Sequence, residues 1–90
     1  FASSFSIDKI FPNPFNPLTK VSFSIPIYQE EVKLRVFDIL GMLQAELVND
    51  AFEPGKYTVS WNASNKSSGI YFVELKTEQS RKIKKITLLK

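Results

Sequence analysis

Apolar and polar residues alternate with a period of two through much of this chain, in short runs closed by turn residues every ten positions or so. Period two is the mark of a strand with one dry and one wet face, because successive side chains point to opposite sides. Phe5, Ile7 and Lys9 alternate with Ser6 and Asp8, which predicts a strand near 4–10. The next segment, Phe11 to Pro17, holds three of the five prolines. It reads as a rigid loop, because proline has no ladder donor and Asn13 and Asn16 can close turns on their own backbone. Phe11 and Phe15 are expected to plug one end of the core. Val21, Phe23 and Ile25 predict a second strand, which Pro26 ends. A third is predicted over 31–39, with Val32, Leu34 and Val36 inward and Lys33 and Arg35 outward. Phe37 and Ile39 break that phase and are assigned to a sheet edge or loop. Gly41 follows as a turn residue at positive φ. Leu43, Ala45 and Leu47 predict a short strand over 43–48. Glu53-Pro54-Gly55 predicts a type II turn, and Tyr57, Val59 and Trp61 share the inward face of the strand after it. A polar loop spans 62–69. Tyr71, Val73 and Leu75 mark a strand over 70–76, and Ile83, Ile86 and Leu88 a last one over 82–89. The change from odd to even positions there predicts a β-bulge near Lys84 and Lys85.

The expected fold is therefore all-β, an immunoglobulin-like antiparallel β-sandwich of about seven strands. Ninety residues make one domain, 1–90. A chain of this size buries roughly 60–65% of its unfolded surface, enough for one modest core. There is no cysteine and no histidine, so there is no disulfide, no thiolate nucleophile and none of the commonest general bases or transition-metal ligands. Eight Phe, three Tyr and one Trp must supply much of the packing. The first residue is Phe1, not Met, so the sequence reads as a piece of a longer protein. No apolar run approaches the roughly 20 residues of a membrane-spanning helix.

The net charge of +3 is unevenly placed. Residues 81–90 carry five bases and no acid, whereas residues 1–80 carry seven bases and nine acids. Lys82, Lys84, Lys85 and Lys90 are the candidate recognition residues of this tail. They would meet an acidic receptor surface and speed encounter, and a neighbouring sheet edge would accept a partner strand. Phosphate binding is available to such a cluster. The simpler reading is that lysines on a terminal strand block edge-to-edge aggregation, and no nucleic-acid partner is expected.

Other candidates carry a plainer alternative. Asn13 and Asn16 in the proline loop are a recognition surface or only turn chemistry. The segment 37–41 is a partner site or a strand ending in a glycine turn. Phe72 is out of phase with its inward neighbours, so it faces a loop, a neighbouring domain or a partner. Tyr57, Trp61, Tyr71 and Phe72 suggest a sugar-binding platform, yet the phase of the first three places them in the core. No cofactor is expected. Calcium is the ion that Asp8, Asp38, Asp50 and Glu53, with Asn13 or Asn49, suggest, but they lack a regular Asp-x-Asp-x-Asp spacing. Nothing marks a pair of catalytic carboxylates, so no enzyme activity is expected. Asn62-Ala-Ser64 and Asn65-Lys-Ser67 match the N-glycosylation pattern, a short motif that carries no weight without its cellular context.

Six segments carry a family resemblance in order and spacing. They are the loop 12–17 with the strand 19–26, Val36 to Gly41, Pro54 to Tyr57 leading to Trp61, Ser68 to Phe72, and Lys85 to Lys90. Together they resemble the type A C-terminal sorting domain of the type IX secretion system. They are also similar to the immunoglobulin-like domain related to the flagellar hook-capping protein. The resemblance implies a module that follows a passenger in a secreted bacterial protein and passes through the periplasm. It implies as partners the outer-membrane secretion machinery and a sortase-like protease, with the passenger left outside the cell or attached to surface lipopolysaccharide. Two other roles fit the same residues: a retained spacer or assembly domain that self-associates through an edge strand, and a carbohydrate-binding accessory module.

Overall fold

Alternating side chains can be dry on one side only if a second layer covers them, and the chain folds accordingly into two stacked sheets. A computed structural model describes residues 4–90. The strands are β1 (Ser6–Phe11), β2 (Leu18–Ile25), β3 (Gln29–Asp38), β4 (Leu43–Phe52), β5 (Gly55–Asn62), β6 (Gly69–Lys76) and β7 (Arg81–Leu88). One sheet has the order β1-β2-β5 and the other β4-β3-β6-β7, and all neighbouring strands are antiparallel. This is an immunoglobulin-like sandwich in which β4 extends the second sheet.

The core lies between the sheets. Val21, Phe23 and Ile25 of β2 meet Val32, Leu34 and Val36 of β3 and Tyr71, Val73 and Leu75 of β6, all buried. Ile86 and Leu88 of β7 join them, as do Phe15 and Ala63 from loops. Aromatic rings close both ends. Phe23, Phe52 and Tyr57 interlock with centroids 4.7–5.7 Å apart, while Trp61 packs on Phe15 at 5.5 Å and on Tyr71 at 5.6 Å. The Tyr71 hydroxyl donates to the Ser67 carbonyl at 2.6 Å. This is the tyrosine corner of such sandwiches. Tyr57 makes the same four-residue reach to the Glu53 carbonyl.

Several expectations need correction. Phe11 is 64% exposed and does not plug the core. The register of β1 on β2 slips between Ile7 and Lys9, so Asp8 is an extra residue that reverses the phase. Ile7 and Ile10 then lie opposite Phe23 and Val21, and Lys9 stacks over the outward Phe11 ring at 5.0 Å. In β7 the expected bulge is absent: Gly69↔Leu88 to Lys76↔Arg81 runs without a shift. Ile83 therefore points away from the core and is 46% exposed. Gly55 opens β5 at φ 157° rather than at the roughly +80° of a type II turn. The strand predicted over 43–48 runs on to Phe52, and shifts between Leu34 and Arg35 and between Val36 and Phe37 break its alternation. Gly41 does take a positive φ, 81°.

Candidate functional site

The basic tail does not form one patch. Strand parity separates its lysines. Lys82 and Lys84 pair with Leu75 and Val73 and share their inward phase. They remain exposed because β7 is an edge strand. Lys85 lies on the outer face, opposite Phe72. Lys90 lies past the strand, where its ammonium donates to the Ser64 carbonyl at 2.6 Å and its backbone N–H to Ser68 Oγ at 3.0 Å. Phe72 is half-buried on the outer face of the second sheet, between Phe37 of β3 and Lys85.

Asn13 and Asn16, which the sequence presents as equals, have different roles. Asn16 is exposed. Asn13 reaches the edge of β7, where its Oδ1 accepts from the Thr87 N–H at 3.0 Å and its Nδ2 donates to the Lys85 carbonyl at 3.4 Å. Its amide thus stands in for a strand's backbone. Phe15 continues the pairing: its N–H donates to the Thr87 carbonyl and its carbonyl accepts from the Leu89 N–H, both at 3.0 Å, as a parallel bridge to Leu88. Thr19, buried beneath, donates to the Pro12 carbonyl at 2.8 Å. The proline loop is thereby fastened along the C-terminal half of β7. The pairing spans more than 70 residues of sequence, and no local pattern announces it.

Glu74 was also missed. It holds an outward position on β6 yet is buried, with Oε1 bound by Arg35 at 2.8 Å and Oε2 by Arg81 at 2.6 Å. Burial pushes its pKa up, but hydrogen bonds from Arg81 and Arg35, and their charges, hold it below its ordinary value. A lone carboxylate within the otherwise apolar run from Ile70 to Leu75 was the available signal. Asp8 behaves similarly: burial raises it, while hydrogen bonds from Ser24 and Ser6 and the charges of Lys56 and Lys84 bring it down.

The loop carboxylates proposed for calcium have local partners. Asp38 accepts from the N–H groups of Leu40 and Met42 and from Gln44, which closes the β3–β4 turn. Asp50 accepts from the Ala51 N–H. Among the described residues no group of three or more His, Cys, Asp or Glu side chains could hold a metal ion. Trp61 and Tyr71 are buried, so they form no platform for sugar. At the β3–β4 turn Ile39, Leu40 and Met42 are 60–79% exposed, beside an open cleft of about 470 Å³ shared with residues 65–71. Among the described residues no helix is long and apolar enough to cross a membrane.

The fold defines the class: an immunoglobulin-like β-sandwich with a filled core, its charged groups along strand edges, turns and a basic tail. Comparison with known families makes this specific. The family described as the secretion system C-terminal sorting domain matches residues 9–89, from within β1 to beyond β7. The chain belongs to that family, whose members are sorting signals of type IX secretion and not a catalytic family. No curated protein matches the chain.

Proposed function

We propose that the folded sandwich with its basic terminal strand is the object read by the outer-membrane machinery of type IX secretion, and that the chain performs no chemistry itself. A passenger preceding the domain is carried through the periplasm to the cell surface or beyond. A sortase-like protease then removes the domain, leaving the passenger free or attached to the surface. The observation that carries this reading is the family match, which takes in the sandwich as a unit. The separate placements of Lys82, Lys84, Lys85 and Lys90 support reading of the edge and tail at more than one contact, with Asn16 and Phe72 as further exposed or half-exposed points.

The test fuses residues 1–90 behind a reporter in a bacterium with an active type IX system. The reporter is expected outside the cell, with the domain absent from the mature product by mass spectrometry. Neutralising the four lysines to glutamine is expected to slow export while the purified domain stays folded. A folded wild-type fusion that stays inside the cell would overturn the reading.

A further inference from the structure

Among the described residues, the edge of β7 is covered along only half its length. Its backbone parity is established at both ends. The Thr77 N–H donates to the Ser80 carbonyl at the β6–β7 turn, so even-numbered residues of β7 face β6. At the far end, Thr87 and Leu89 turn their backbone groups to the proline loop. Odd-numbered residues therefore face away from β6. By that parity, the N–H and C=O groups of Arg81 and Ile83, and the Lys85 N–H, face the open side, where no described residue pairs with them in the ladder. The Asn13 side chain ends this open stretch at the Lys85 carbonyl. A cleft of about 340 Å³ runs along it, with residues 4–7 on one wall and 82–84 on the other.

We propose that residues 81–85 of β7 form a strand-addition site for an acidic, extended segment of a partner protein. Unpaired edge groups provide backbone hydrogen bonds to such a segment, and the charges decide which segment docks. Arg81, Lys82, Lys84 and Lys85 place four positive charges on five residues. Those charges repel a second copy of the same edge, as edge lysines generally do. They attract a strand carrying carboxylates opposite Lys82 and Lys84, which makes one set of residues both the barrier to self-pairing and the selector of the partner. An apolar side chain between those carboxylates meets the exposed Ile83 on the outer face. The site lies on the edge that the sorting reading also uses, and it is tested without secretion, so either can fail alone.

The probe is a fluorescein-labelled Val-Glu-Val-Glu-Val peptide titrated into the full 90-residue chain and followed by anisotropy. In antiparallel pairing its valines present their backbone to Arg81, Ile83 and Lys85, and its glutamates lie opposite Lys82 and Lys84. Saturable binding is expected, weakened about tenfold or more by N-methylation of the valines and by the K82E/K84E pair. Hydrogen exchange is expected to slow at the Ile83 and Lys85 amides of the wild-type protein and to stay unchanged at Lys82 and Lys84. Equal binding of the N-methylated peptide, or full competition by polyphosphate without protection at Ile83, would show mere attraction of polyanions and overturn the proposal. So would no binding at millimolar peptide.

Discussion

Glu74 holds a position that alternation assigns to solvent, yet two arginines and the strands around it seal it in. Its folded pKa is depressed, so its contribution to stability is present above the ordinary glutamate pKa of about 4.3 and is lost as pH falls through the folded value. Glu74→Gln is expected to cost about 1–3 kcal/mol at pH 7, because Arg35 and Arg81 lose a charged acceptor. Urea titrations followed by Trp61 emission should show that gap narrowing once the pH drops below the glutamate range. A gap that stays constant into acid would assign the loss to packing alone. Gly41 offers a separate check on the backbone. At φ 81° with nothing within 4 Å of an added Cβ, Gly41→Ala is expected to cost about 1–2 kcal/mol of purely conformational origin, read as a lower midpoint with an unchanged m-value.

Among the elements, β7 separates what alternation can reveal from what it cannot. Strands β2, β5 and β6 keep period two without interruption, so the inward positions of Val21, Phe23, Trp61, Val73 and Leu75 were legible. An inserted residue changes phase and leaves no compositional trace. The slip at Asp8 was therefore invisible, and the outward Ile83 suggested a bulge in a strand that is regular. Truncation of β7 side chains tests its phase. Ile86→Ala and Leu88→Ala, both fully buried, are expected to lose about 2–5 kcal/mol each. Ile83→Ala is expected to change stability by about 0.5 kcal/mol or less. The basic tail misled in another way. Lysines adjacent in sequence fall on opposite faces of a strand, so a cluster in the chain became separate contacts in space. The role of Asn13 was illegible because its partners are supplied by topology. Asn13→Ala is expected to cost about 1–2 kcal/mol, for two lost backbone partners, and to speed hydrogen exchange at the Thr87 amide. Unchanged exchange there would remove Asn13 from the edge.

For the molecule as a whole, the last hairpin depends on everything before it. Ile86 and Leu88 are dry as members of one core built from both sheets and the Phe15 loop. A peptide of residues 69–90 alone is therefore expected to be unfolded by circular dichroism, since an isolated hairpin lacks the apolar face a stable sheet needs. The family match likewise takes in β2 to β6 and the end of β1 together with β7.

The stitching of the proline loop to β7 also has a mechanical side. Phe15 and Leu88 run in the same direction. Opposing pulls through the segment before β1 and through Lys90 therefore slide the two past each other, loading the bonds of Asn13 and Phe15 in shear and together. Bonds stressed in concert yield at higher force than bonds opened one by one, so a tug from a tethered cargo meets a latch and not a zipper.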